Sequence, residues 1–79
     1  GSTFKNPEGT FAAQLISDAG LKGYRVGDAA VSSKHPNFIT NLGNAKFSDV
    51  ISVIEYVKKV VFENFGIQLE TEIIIIKNQ

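Results

Sequence analysis

The 79-residue sequence predicts one small α+β domain, with two helices packed on a small sheet in the order α-β-β-β-α-β. A long segment with apolar residues at helical spacing occupies the second half of the chain. Short apolar segments separated by glycine-containing turns occupy the first half. An isoleucine run lies near the end. The length limits the chain to a single domain, residues 1–79, and leaves no room for a separate dinucleotide-binding unit.

The first helix is predicted after a loop formed by Lys5–Gly9, where proline and glycine favour a turn. Thr10 is the predicted N-cap, because its hydroxyl can accept a hydrogen bond from a free backbone N–H group. Apolar residues then recur at helical spacing from Phe11 to Ala19. Gly20 follows at the position where a left-handed backbone conformation ends many helices.

Three short strands are predicted between the two helices. Tyr24–Val26 and Ala29–Val31 flank Gly27-Asp28, a dipeptide sequence typical of a tight hairpin. Ser32–Pro36 is predicted to be a loop, and Asn37–Asn41 the third strand.

The second helix is predicted from about Ser48 to Asn64, ended by Gly66. Its apolar stripe consists of Val50, Ile51, Val53, Ile54, Val57, Val60 and Val61. Many of these residues are β-branched and disfavour helix, so packing must stabilise it. A last strand is predicted from Gln68 to about Ile76. Its four consecutive isoleucines, Ile73–Ile76, require cover on both faces of the strand.

The composition excludes several classes of protein. Eight basic and eight acidic residues give no excess positive charge for nucleic acid. The lack of cysteine excludes disulfides, thiolate metal sites and thiol nucleophiles. No apolar run is long enough to span a membrane, and no signal peptide is evident. Because the sequence has no methionine and begins Gly1-Ser2, we expect it to be part of a longer protein.

Glu70 and Glu72 are two residues apart on the last predicted strand, so both should lie on one face. Burial beside the isoleucines and the neighbouring like charge would raise a carboxyl pKa, as a general acid requires. The alternative, which the sequence alone favours, is that both carboxylates are solvated at the start of the strand. His35 is the only histidine, and without partner ligands it suggests a surface or packing role rather than a metal site.

Gly20–Gly23 matches the Gly-x-x-Gly loop of KH domains, which bind nucleic acid. That loop joins two helices, whereas a strand is predicted to follow here, and a helix end plus a turn also explains both glycines. Lys22 at its tip could still bind a phosphate. A KH-like nucleic-acid-binding module and a protein-association module that uses the isoleucine strand are therefore the alternative functions. Ser2 lacks the spacing to Asp or His of a catalytic triad.

Several ordered motifs together identify a family. They are Gly1–Pro7, Ala19–Gly23, Gly27–Ser32, Lys34–Ile39, Asn41–Ala45 and Phe65–Ile73. In this order they closely resemble the C-terminal domain of the UDP-N-acetylenolpyruvoylglucosamine reductase (MurB) family, over nearly the whole chain. Gly1-Ser2 is then the pair that this family carries before Phe-Lys-Asn-Pro, rather than a remnant of tag removal.

The resemblance implies an oxidoreductase of peptidoglycan synthesis in the cytoplasm. The family uses NADPH and FAD to reduce the enolpyruvyl ether of UDP-N-acetylglucosamine to the lactyl ether of UDP-N-acetylmuramate. The implied partners are this nucleotide-sugar substrate and an upstream FAD-binding domain, with no nucleic acid and no membrane. We therefore expect the isolated chain to fold without binding FAD or turning over; quenching of flavin fluorescence by the isolated chain would contradict this.

The resemblance also assigns roles to individual residues. Ser2 matches the proton donor of the family, and Glu72 matches the second acidic residue beside the substrate carboxylate. Asn6 and Lys22 match positions that contact the substrate, Lys22 near the diphosphate. His35 matches a position on the substrate side of the site. No metal is implied.

Overall fold

The computed structural model describes residues 2–72. Its elements are α1 (Ala12–Asp18), β1 (Arg25–Val26), β2 (Ala29–Val31), β3 (Ile39–Asn41) and α2 (Phe47–Phe65). The predicted α+β class and the order of these five elements are confirmed. The part of the last predicted strand from residue 73 onward lies outside the described residues.

The three strands form an antiparallel sheet in the order β1-β2-β3. The predicted hairpin is confirmed, with Val26 paired to Ala29 across the Gly27-Asp28 turn. The third strand begins two residues later than predicted, at Ile39. Its predicted first residue, Asn37, instead uses its main-chain carbonyl to accept a hydrogen bond from the N–H of Thr3 at 2.8 Å.

Helix α1 begins in a different way from the one predicted. The N-cap is Phe11, not Thr10, and its side chain offers no acceptor. The side chain of Asn6 accepts instead, with Oδ1 at 2.9 Å from the N–H of Ala12. The prediction for the end of the helix is confirmed, because Gly20 follows with a left-handed φ of 77°.

Helix α2 extends slightly beyond its predicted bounds. At its start, the Asp49 carboxylate accepts a hydrogen bond from the N–H of Lys46 at 3.0 Å. At its end, Gly66 has a left-handed φ of 70°, as predicted. Its fully buried residues are Val53, Ile54, Val57 and Val61, all members of the predicted apolar stripe.

The hydrophobic core lies where α2 packs on β1 and β2 and where α1 packs on α2. Two core residues come from the terminal segments: Phe4, 2% exposed, and Leu69, 1% exposed. These segments also meet in an antiparallel bridge between Phe4 and Thr71. The first and last described segments are therefore held together by core packing and by main-chain pairing.

Candidate functional site

The bridge between the terminal segments brings together the two residues expected to act on protons. The N–H of Glu72 donates to the carbonyl oxygen of Thr3 at 2.9 Å, and Ser2 immediately precedes Thr3. On the other side of the bridge, the N–H of Lys5 donates to the carbonyl of Glu70 at 2.8 Å. Ser2 and Glu72 are both exposed. Thr3 and Glu72 are thus hydrogen-bonded although they are 69 positions apart in the sequence, and Ser2 is one residue away from that contact.

The buried side-chain amide of Asn37 binds the main chain of Phe4, on the side opposite the Glu70–Glu72 segment. Asn37 is 7% exposed, and its Oδ1 accepts a hydrogen bond from the N–H of Phe4 at 2.9 Å. Its Nδ2 donates to the carbonyl of Phe4, also at 2.9 Å. Sequence reasoning placed Asn37 only at the start of a strand. The available signal was an amide in a short, otherwise apolar run before Phe38 and Ile39.

The two carboxylates of the last segment are solvated. Glu70 and Glu72 are exposed, and Thr71 between them is partly buried. This exposure is what the interpretation favoured by the sequence alone predicts. The isoleucines that would bury the carboxylates, Ile73–Ile76, lie outside the described residues, and the catalytic role of Glu72 stays a prediction. An exposed carboxylate on this domain remains available to a ligand bound against this edge.

Asn6 lies four residues after Ser2 and is exposed. Because its Oδ1 accepts from the first turn of α1, the amide NH₂ is the group it could direct to a ligand. A residue predicted to contact substrate therefore also has a structural contact, which fixes the orientation of its side chain.

Lys22 is exposed at the tip of a turn in which the N–H of Tyr24 donates to the carbonyl of Leu21 at 3.1 Å. Gly23 has a φ of 84°, as the third position of a type II turn requires. The turn joins α1 to β1, whereas the loop of a KH domain joins two helices. The helix end and the turn thus account for both glycines, and the nucleic-acid-binding alternative has no support.

His35 is exposed, and its backbone N–H donates to Oγ of Ser32 at 3.0 Å. Its ring lies beside that of Phe38, with the ring centroids 5.4 Å apart. This exposure agrees with the surface position predicted for His35, and its place on the substrate side of the site stays a prediction. His35 precedes Asn37 by two positions in the sequence, so it lies on the loop that leads into the buried amide.

Two surface features of the described residues are the hairpin turn at Gly27 and a groove on α2. At Gly27 an added Cβ would lie 2.4 Å from an oxygen of Asp49, so this turn packs against α2 rather than against a ligand. A groove of about 300 Å³ on α2 is lined by Glu55, Lys58, Lys59, Phe62, Glu63 and Gln68. Its size is at the lower limit for small-molecule pockets, and charged side chains dominate its lining.

Residues 2–72 contain no cluster of three His, Cys, Asp or Glu side chains that could bind a metal ion. Within the same residues, neither helix has the length and apolarity needed to cross a bilayer.

This α+β architecture matches a domain that makes up about a quarter of a larger solved protein. The family model for the C-terminal domain of UDP-N-acetylenolpyruvoylglucosamine reductase matches residues 1–76. The chain belongs to this family, as its motifs predicted.

Individual relatives agree with the family match. The chain is 62% identical over 77 residues to the UDP-N-acetylenolpyruvoylglucosamine reductase of Fusobacterium nucleatum, covering 98% of this chain and 27% of the relative. It is 59% identical over 76 residues to the reductase of Caldanaerobacter subterraneus, covering 96% of this chain and 25% of the relative.

The crystal structure of UDP-N-acetylenolpyruvylglucosamine reductase (MurB) from Thermus caldophilus is similar, with a TM-score of 0.74 and 47% identity. That match covers 91% of this chain and 26% of the solved one. The chain thus spans about a quarter of the length of the proteins that it matches.

Proposed function

We propose that this chain is the substrate-binding and proton-donating domain of an NADPH-dependent flavoenzyme, a UDP-N-acetylmuramate dehydrogenase. Its substrate would be UDP-N-acetylglucosamine enolpyruvate and its product UDP-N-acetylmuramate. The observation that carries the proposal is the 2.9 Å hydrogen bond from Glu72 to Thr3, next to Ser2. The family match supports the same assignment.

The proposed reaction adds a hydride and a proton across the enolpyruvyl double bond. The hydride chemistry at the alkene carbon farther from the sugar-bearing oxygen would be supplied by FAD, reduced by NADPH and held by the upstream domain of the full-length enzyme. Negative charge then develops on the adjacent carbon and the carboxylate. The O–H bond of Ser2 breaks as the C–H bond forms at that adjacent carbon, and solvent returns a proton to the serine oxygen.

Ser2 and Glu72 would have different roles in this reaction. A serine hydroxyl is a weak acid, so Ser2 should give up its proton only to the strongly basic intermediate formed when hydride arrives. Glu72, if protonated when substrate binds, could donate a hydrogen bond to the developing charge. Stabilising that charge would favour the transition state over the bound substrate.

Three further residues would bind the nucleotide sugar. Lys22, exposed at the tip of its turn, would lie near the diphosphate as a compact positive charge. Asn6 would donate a hydrogen bond from its amide NH₂ to the nucleotide sugar, since its Oδ1 accepts from the N–H of Ala12 in α1. His35 would lie on the substrate side of the loop before Asn37.

FAD would be bound by an upstream domain, since the relatives extend well beyond the matched region, which is 27% of the Fusobacterium nucleatum enzyme. That domain and the nucleotide sugar would be the partners of this chain. The reaction would take place in the cytoplasm. Its product would supply peptidoglycan synthesis, and through it cell-wall biogenesis, cell shape and cell division.

The test uses the full-length enzyme and measures its two half-reactions separately. Ser2→Ala should leave the reduction of flavin by NADPH unchanged and slow its reoxidation by substrate by about 10²-fold or more, as for loss of a general acid. Ser52→Ala removes an exposed hydroxyl from α2 and is the control, with both rates unchanged. Equal rates for Ser2→Ala and the unmodified enzyme would remove Ser2 from the mechanism.

Glu72→Gln tests the second acidic group in the same assay. The amide keeps the shape but donates a weaker hydrogen bond to the developing charge than a carboxylic acid would, so reoxidation should slow while reduction by NADPH does not. Glu70→Gln makes the same change on a neighbouring exposed carboxylate and should alter neither rate. If the rate of flavin reoxidation is unchanged in Glu72→Gln, Glu72 has no role in the reaction and is a solvated surface residue.

A further inference from the structure

We infer that Asn37 is a positioning residue for proton transfer, acting through the main chain of Thr3 and Phe4 to hold Ser2 against the Glu70–Glu72 segment. The inference rests on the proposed function, because it concerns the proton that Ser2 would donate. It assigns a role to a buried side chain that is expected to touch neither the substrate nor the flavin.

The first step in the argument is the number of hydrogen bonds that Asn37 gives one short segment. Its main-chain carbonyl accepts from the N–H of Thr3 at 2.8 Å. Its side-chain amide accepts from the N–H of Phe4 and donates to the carbonyl of Phe4, both at 2.9 Å. The amide thereby pairs with Phe4 on one side as a neighbouring strand would.

The second step is what lies on the opposite side of the segment. The carbonyl of Thr3 accepts from Glu72 at 2.9 Å, and the N–H of Lys5 donates to Glu70 at 2.8 Å. The residues after Ser2 are thus held from both sides, by Asn37 on one and by Glu70–Glu72 on the other. The side chain of Phe4, 2% exposed, anchors the same segment in the core.

The third step is the connection of Asn37 to the sheet. Asn37 is separated from β3 by one residue, Phe38, whose carbonyl accepts from the N–H of Ser32 at 2.9 Å. β3 pairs with β2, whose three residues are all buried. A side chain fixed by this sheet therefore holds Thr3 and Phe4, the two residues that follow the exposed Ser2. Proton transfer needs such precision, since a misplacement of about 1 Å can cost about 10²-fold in rate.

The test measures the two half-reactions of the full-length enzyme with Asn37→Asp. The carboxylate keeps the size of the amide and the acceptor for Phe4 N–H, but it cannot donate to the carbonyl of Phe4. Reoxidation of flavin by substrate should slow about tenfold or more. Reduction by NADPH should stay within about twofold, which shows that the enzyme is folded and carries its flavin.

The double variant with Ser2→Ala distinguishes positioning from a general structural effect. If Asn37 acts through Ser2, Asn37→Asp should slow reoxidation by less than about twofold once the hydroxyl is gone. If the two effects multiply instead, Asn37 acts independently of Ser2 and the inference is wrong. Asn41→Asp is the control for the same change of amide to carboxylate, because Asn41 Oδ1 likewise accepts from the main chain, at the N–H groups of Gly43 and Ala45, and both half-reactions should be unaffected.

The outcomes separate this inference from the proposed function. If Ser2→Ala slows reoxidation and Asn37→Asp does not, only the inference fails. If Ser2→Ala has no effect, the proposed role of Ser2 fails and the inference fails with it. Should Asn37→Asp not yield folded enzyme, Asn37→Ser is measured in the same way, since its short hydroxyl cannot bind both polar groups of Phe4.

Discussion

The side chain of Asn6 has one contact that the structure describes and one that we propose. Its Oδ1 accepts from the N–H of Ala12 at 2.9 Å, and its amide NH₂ is proposed to reach the nucleotide sugar. The two contacts use different atoms of the Asn6 side-chain amide. Substitutions that remove them separately can therefore tell them apart.

Asn6→Ala should lower the free energy of unfolding by about 1 kcal/mol, the usual effect of losing a side-chain cap. Asn6→Asp keeps the acceptor, and its charge suits a helix N-terminus, so stability should be retained. Both variants lose the amide NH₂ and should raise KM for the nucleotide sugar in the full-length enzyme. Urea unfolding and steady-state kinetics check this; an unchanged KM in Asn6→Asp would exclude the proposed contact.

Gly27 lies in the hairpin turn with a φ of 55°, where an added Cβ would be 2.4 Å from Oδ2 of Asp49. Gly27→Ala should therefore be more destabilising than left-handed backbone strain alone, which costs roughly 1–2 kcal/mol. Gly9→Ala is the matched control, because Gly9 has a φ of 82° with nothing within 4 Å. Equal losses in urea unfolding would show that Asp49 moves aside freely.

For individual residues, the sequence predicted where a residue type is needed better than it predicted the hydrogen-bond partners of a side chain. The glycines that end the two helices were predictable, because a left-handed residue at a helix end favours glycine whatever surrounds it. The contacts of Asn6 and Asn37 were not. An asparagine side chain can bind many main-chain groups, and only the folded chain brings Phe4 beside Asn37.

Among the elements, α2 was the best predicted, because its apolar stripe repeats over several turns and coincides with the buried residues of the helix. The short strands were less certain at their ends. Those ends depend on hydrogen bonds from distant segments, such as the one between Thr3 and Asn37. Periodicity along one segment carries no information on such partners.

Contacts with α2 also hold the sheet in place. The ring of Tyr24, just before β1, stacks on that of Tyr56 in α2, with centroids 4.3 Å apart and planes 13° apart.

At the start of the same helix, the Asp49 carboxylate accepts a hydrogen bond from the N–H of Lys46. Lys46 is an extended N-cap residue, with no side-chain hydrogen bond to the helix.

Lys46→Thr should stabilise the chain by about 0.5–1 kcal/mol, because a threonine hydroxyl can accept from an N–H of the first turn. It also removes a positive charge from the positive end of the helix dipole. Lys59→Thr removes the same charge from an exposed position inside α2 and should be destabilising, since threonine disfavours helix. Urea unfolding of the 79-residue chain measures both; a loss of stability in Lys46→Thr would contradict this account of the cap.

The whole domain leaves several large apolar side chains exposed in the described residues. Phe11 is 66% exposed, Phe47 57% and Phe62 52%, on a chain with no net charge. The chain also corresponds to only about a quarter of its relatives' length. Its fold and family could be predicted from ordered motifs, whereas the cofactor could be inferred only from the family.

The most direct test of the central claim is NADPH consumption by the purified full-length protein, with and without UDP-N-acetylglucosamine enolpyruvate. We predict a yellow protein with a flavin spectrum, whose NADPH consumption depends on the nucleotide sugar and is lowered by Ser2→Ala. A colourless protein, or one whose NADPH consumption is indifferent to this sugar, would contradict the proposed function.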